Sequence, residues 1–95
     1  MSRPRIYFIQ MGDDGPIKIG TTKNHINGRL RALQSASPYK LNLLFLFKNY
    51  PKSYITEGSI HKKFKKNRLE GEWFYPSKEV LDYIEFLRNR NEYAL

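Results

Sequence analysis

Five side chains in this 95-residue chain are of types that could work on phosphate or move protons: the phenol of Tyr7, the ammonium of Lys18, the guanidinium of Arg29, the carboxylate of Glu57 and the imidazole of His61. A phenol or imidazole can exchange a proton, and a guanidinium fork matches the oxygens of a phosphate better than a point charge does. Each also has an ordinary structural use: Tyr7 in an aromatic core, Lys18 on a solvated strand, Glu57 on a helix surface. One Glu and one His do not make a metal cage, so His61 is auxiliary, a structural or phosphate-contacting group. Function therefore turns on whether the chain brings the five together.

The stretch from Arg5 to Gly20 places the first two. Ile6 and Phe8 alternate with Tyr7 and Ile9, and Ile17 and Ile19 alternate with Lys18 and Gly20, on either side of Gly12-Asp13-Asp14-Gly15. This is the period-2 pattern of a β-hairpin. A loop over residues 12–15 sets Met11 opposite Pro16, Ile9 opposite Lys18 and Tyr7 opposite Gly20, so Tyr7, Lys18 and Gly20 share one face. Gly20 would then leave beside the phenol a patch without a side chain, where a ligand could approach.

Helices must carry the other three. Ile26, Leu30 and Leu33 recur at helical spacing and predict a helix from about His25 to Ala36. Arg29 borders its apolar stripe, held near the sheet, whereas Arg31 points away. A second helix is expected from about Tyr54 to Asn67, with Ser53 as N-cap and Ile60 and Phe64 on its buried side. Glu57 and His61, four apart, share a face of it. Lys62, Lys63 and Lys66 project towards solvent or a polyanion.

The remaining segments complete an α+β order of β, β, α, β, α, short β, α, one domain over residues 1–95. Leu41 to Lys48 is apolar on both faces and reads as a central third strand. Asn49 to Ser53 and Arg68 to Gly71 read as turns. Glu72 to Pro76 is an aromatic segment, an edge strand or a plug on the core. Ser77 caps a last helix with Val80, Leu81, Ile84 and Leu87 as its apolar positions.

Lys and Arg outnumber Asp and Glu by 17 to 9, a net charge of +8. That excess favours a polyanionic partner, nucleic acid first and a membrane surface second. There is no cysteine, which excludes disulfides and thiolate zinc sites. The longest apolar run, Leu43 to Phe47, is too short to span a bilayer, and Met-Ser-Arg-Pro-Arg lacks the apolar segment of a secretory signal. An intracellular location, with no membrane partner, is the expectation.

The hairpin resembles the paired signature of the GIY-YIG nuclease superfamily, with Arg5-Ile6-Tyr7 at the first tripeptide and Lys18-Ile19-Gly20 at the second. Arg29, within Gly-Arg-Leu-Arg-Ala-Leu, resembles the arginine of that family's first helix. Glu57, in Glu-Gly-Ser-Ile-His-Lys-Lys-Phe, resembles its metal-binding glutamate. Glu72-Trp73-Phe74 is similar to the closing motif of a phage-rich branch. The resemblance covers about residues 5–87. It implies a small three-stranded antiparallel sheet flanked by helices and a DNA endonuclease dependent on Mg²⁺ or Mn²⁺, working in the host-cell cytoplasm.

The site residues follow from the same resemblance. Glu57 would hold the metal through oxygen, Tyr7 would be the general base with Lys18 favouring its phenolate, and Arg29 would bind the scissile phosphate. Lys62, Lys63, Lys65 and Lys66 would contact the DNA backbone, which confers affinity with little sequence information. Arg5 stands where the first motif has glycine and Lys18 where the second has tyrosine. Leu33, Gln34 and Ser35 stand where many relatives place a His or Tyr after the arginine. The alternative to an endonuclease is therefore a nucleic-acid-binding module on the same scaffold with turnover impaired. One such centre cuts one strand, so double-strand cleavage would require a homodimer or sequential action, and site choice could fall to a separate DNA-recognition partner.

Overall fold

The alternating apolar residues of the N-terminal stretch form the hairpin that their spacing predicts. In the computed structural model, which describes residues 4–48 and 55–90, β1 (Arg5–Met11) and β2 (Ile17–Thr22) pair antiparallel, with Tyr7 opposite Gly20 and Ile9 opposite Lys18. The Met11 amide donates to the Pro16 carbonyl at 2.9 Å and closes the loop. Side-chain parity sorts the hairpin between two cores. Ile6, Phe8, Ile17 and Ile19 face one layer, and Tyr7 and Ile9 face the other.

The sheet has five strands, in the order β3-β1-β2-β5-β4, rather than the expected three. The added pair comes from segments too short to carry a period-2 signature: β4 (Arg68–Glu70) and β5 (Trp73–Phe74). Arg68–Glu70, expected as part of a turn, is thus a strand. The turn is confined to Gly71 and Glu72, where Gly71 adopts a φ of 58° that a glycine accepts without a Cβ penalty. The aromatic segment is an interior strand, flanked by β2 and β4.

A second correction concerns β3 (Leu41–Lys48), which lies at the sheet edge and not at its centre. It is apolar on both faces because both are covered. Leu41 and Leu46 pack with Ile26 of α1 (Ile26–Ser35), and Phe45 and Phe47 join Ile84 and Leu87 of α3 (Lys78–Arg90). Apolarity reports coverage above and below, not the presence of strands on either side. A bulge opposite Phe8 and Ile9 skips Leu44, whose carbonyl instead accepts from the Arg88 guanidinium at 2.8 Å. That bond occupies part of an edge that no other described strand pairs.

Local chemistry sets the helix ends. His25 caps α1, its Nδ1 accepting from the Asn27 amide at 3.2 Å, and Leu30 and Leu33 pack against the Tyr7 face. The second helix, α2 (Glu57–Lys63), is shorter than expected and passes into a 3-10 turn over Lys65–Asn67. Thr56 caps it in a reciprocal capping box with Ser59. Ser53, the expected cap, lies outside the described residues, as do Tyr54 and the expected turn from Asn49. Ser77 caps α3 as its sequence position predicts, its hydroxyl accepting from the Val80 amide at 3.3 Å. Val80, Ile84 and Leu87 are buried, but Leu81, a step of 100° off that stripe, is 41% exposed.

Candidate functional site

Strand β5 is shorter than β2, and the difference opens a polar edge. It pairs with Ile17 and Lys18 only. Beyond them the Ile19 amide donates to the Glu72 carbonyl at 3.0 Å, and the Ile19 carbonyl accepts from His61 Nε2 at 2.8 Å. A carbonyl carries no proton, so Nε2 is the protonated ring nitrogen. The ring meets Phe74 edge-on at 4.9 Å between centroids. His61 thereby docks α2 on the free edge of β2 and brings Glu57, one turn earlier, to the same place. Glu57 Oε1 lies 3.9 Å from His61 Nε2, and its carboxyl also meets the Thr21 hydroxyl and Glu72.

Glu72, carried on the Gly71 turn, ties this edge to the hairpin. Its Oε1 is 3.1 Å from Lys18 Nζ, and that ammonium sits 5.6 Å above the Trp73 ring. The Tyr7 ring crosses Gly20. A Cβ on Gly20 would stand 2.5 Å from the phenol oxygen, 2.6 Å from Cζ and 3.0 Å from Glu72 Oε1. Glycine is required here by the close approach of a neighbouring ring. The patch expected to admit a ligand is accordingly filled by Tyr7 itself, which is 2% exposed.

The two carboxyls are electrostatically unlike. Burial, then the charge of Glu72 and a hydrogen bond to it, push the Glu57 carboxyl up, against the Thr21 hydroxyl and His61. Burial is also the largest single influence on Glu72 and pushes upward. The hydrogen bond and charge of Lys18, with Glu57 and His61, together outweigh it and hold Glu72 below the usual range. When the pair shares one proton, Glu57 carries it and donates to Glu72. Burial and then Glu72 also push the Tyr7 phenol up, and the nearby Arg29 guanidinium only partly offsets them. The expected help from Lys18 is absent because its ammonium is engaged by Glu72.

Tyr7, Lys18, Glu57 and His61 therefore meet at one edge, and Arg29, exposed on α1, acts on the Tyr7 phenol through its charge. The four lysines are exposed at the other end of α2: Lys62 and Lys63 in its last turn, Lys65 and Lys66 in the 3-10 turn. Lys63 is distinct, lying over the Phe64 and Tyr83 rings at 5.9 and 5.4 Å. Glu72 joins the site although no spacing argument selects it. Its segment, Glu72-Trp73-Phe74, stands out in the sequence for its aromatics, and only the ion pair with Lys18 reveals the role of the carboxylate. Among the described residues no group of three or more His, Asp or Glu is placed to hold a metal ion.

The fold and this edge define an antiparallel α+β domain with a buried phenol, an acidic pair and surrounding cations. The chain belongs to the T5orf172 domain family, whose model matches residues 5–88. No curated protein and no solved structure matches it. Among the described residues no helix is long and apolar enough to cross a membrane.

Proposed function

We propose that this protein is a metal-dependent DNA endonuclease of the GIY-YIG type that hydrolyses phosphodiester bonds at the open edge of β2. The observation that carries the reading is the convergence of Glu57, Glu72, Lys18 and Tyr7 on that edge, with Arg29 close enough to act on the phenol. Hydrolysis requires an activated water, neutralisation of the phosphoryl oxygens and help for the leaving oxygen. Arg29 is exposed and has no carboxylate within ion-pair distance among the described residues, so its fork is available to a phosphate.

Glu57 and Glu72 offer two carboxyl donors to a hard divalent cation, fewer than a full protein cage. Two carboxyls close enough to share a proton compete for one charge, and an oxygen-seeking cation relieves that competition as a proton does. Glu57 would be the principal ligand with Glu72 beside it, other positions going to water and phosphate. Bound Mg²⁺ or Mn²⁺ would supply charge neutralisation and an acidified water. Lys18 orients Glu72, and His61 fixes α2 through the Ile19 carbonyl. Tyr7 is positioned to exchange a proton above Gly20.

One observation favours the second reading, a binding module with little turnover: the phenol is buried and held protonated, the reverse of a poised base. Supercoiled plasmid incubated with Mg²⁺, with Mn²⁺ and with chelator separates the two. Metal-dependent nicking is the expected result. Retardation of the DNA without nicking in any metal would establish the binding module instead.

A further inference from the structure

Arg5 and Lys48 are paired directly across β1 and β3, on the face that also carries Tyr7 and Leu46. Like charges facing each other across a ladder are destabilising unless an opposite charge lies between them. Neither has a carboxylate within ion-pair distance among the described residues. The pair lines a recess of about 390 Å³ with Ile26, Leu43 and Leu46 as its apolar floor and His25 and Asn27 as its other polar lining. Among the described residues no acidic side chain lines it. His25 also lines an adjoining recess of about 340 Å³ with Thr22 and Arg29. Since Thr22 is the β2 neighbour of Arg5, a row of polar and cationic groups runs from Arg29 to Lys48 across three strands.

Two features of this row decide its ligand. The unbalanced cations call for an anion, and the steps between adjacent strands, about 4.8 Å each, allow successive charges of one backbone to be met. The apolar floor calls for more than phosphate. A recess of this size accommodates one nucleoside, and His25, whose Nδ1 is used in capping, presents Nε2–H as a donor at the boundary. A base can enter only if it is unpaired. A cationic rim that tracks the backbone is one half of a single-strand binding surface, and here the aliphatic floor and the His25 ring take the place of the usual stacking aromatics.

We infer that the recess between Arg5, Lys48 and His25 binds an unpaired nucleotide of the substrate strand, next to the edge that holds Tyr7. The preferred ligand is then DNA with a single-stranded segment adjoining the duplex. Arg5 and Lys48 take its phosphates, and Leu43 and Leu46 take the sugar or base. This rests on the nucleic-acid reading proposed above but does not require turnover.

Binding is measured by fluorescence anisotropy in chelator, so that no cleavage occurs, using a labelled blunt duplex and the same duplex with a single-stranded overhang. The wild type should favour the overhang, and Arg5→Gln/Lys48→Gln should lose that preference. The log–log salt slope for the overhang should flatten by about 0.7 for each phosphate no longer neutralised. Without DNA the double variant should melt no lower than wild type, because it removes a repulsion. If it fails to fold, Lys48→Gln alone, at a strand end, serves the same comparison. Equal affinity for the two ligands in the wild type, or an undiminished preference in the folded variant, overturns the inference. Plasmid nicking judges the endonuclease reading separately, so a protein that binds overhangs without cutting leaves this site standing.

Discussion

Lys18 and Glu72 form a 3.1 Å ion pair across the junction of β2 and β5, and Glu72 in turn meets Glu57. One ammonium therefore decides which of two carboxyls stays ionised. The pair is partly buried, its side chains 15% and 37% exposed, so desolvation offsets much of its Coulomb attraction and its net contribution to stability is small. Its consequence lies in how the site titrates.

Replacing Lys18 by Met keeps much of the stem's packing on Trp73 and removes the charge. Glu72 then loses the cation that holds its carboxyl low, and the two glutamates become nearly equivalent competitors for a proton. Carboxyl-carbon NMR titration should show Glu72 moving up and its separation from Glu57 shrinking. A Glu72 titration identical to wild type would mean that the ion pair does not control the edge.

Gly20→Ala tests the phenol's seat. The new Cβ would lie at 2.5–2.6 Å from the Tyr7 ring and its oxygen, and the ring is packed in the core with little room to give. The expected cost is about 1–3 kcal/mol, typical of overpacking. Tyr7→Phe should not rescue it, because the clash with Cζ remains, whereas Tyr7→Leu should recover part of the loss. Denaturant melts of the single and double variants decide the matter. Full rescue by Phe would place the strain on the hydroxyl alone.

The hairpin was legible because its register is a local property: two alternating strands and a four-residue loop over Gly12 to Gly15 put Tyr7 and Lys18 on one face. Helix α1 and the capping of α3 by Ser77 were legible for the same reason. What escaped depends on distant partners. β4 holds too few residues to show a period, and β5, expected as a short edge strand or plug, takes an interior place only because β2 and β4 pair with it on either side. The position of β3 escaped because a strand covered by helices on both faces looks alike at an edge and at a centre. Glu72 escaped as a site residue because its role depends on Lys18, far earlier in the chain, and on Glu57, which no periodicity connects to it.

The lysine cluster should divide by structure. Among the described residues no carboxylate pairs with Lys62, Lys65 or Lys66, and replacing them with Gln should flatten the salt dependence of duplex binding by about 0.9 for each phosphate no longer neutralised while leaving stability unchanged. Lys63→Gln should in addition lower stability by about 0.5–1 kcal/mol, since its ammonium lies over Tyr83 and Phe64. Salt titrations of DNA affinity and thermal melts on the same preparations check both. Unchanged slopes for Lys62, Lys65 and Lys66 would reduce the cluster to a solvated surface.

Glu57→Gln addresses the chemistry itself. The fold raises the Glu57 pKa, so it favours the protonated form. That contribution is whole below the ordinary carboxylate range and is lost as pH rises through the folded value. At neutral pH the wild type therefore carries an ionised Glu57 against Glu72 at some cost, and Gln removes it. In chelator the variant should melt at or above the wild type at neutral pH, and the two should converge in acid. Mn²⁺ should reverse the order at neutral pH, because a ligand bound only by the folded wild type raises its melting temperature and the variant has lost the principal carboxylate. Cleavage should fall by orders of magnitude while DNA affinity holds or rises, a carboxylate beside the phosphate having been removed. A variant that gains the same Mn²⁺-dependent stability as wild type and nicks plasmid at the same rate would take Glu57 out of the mechanism.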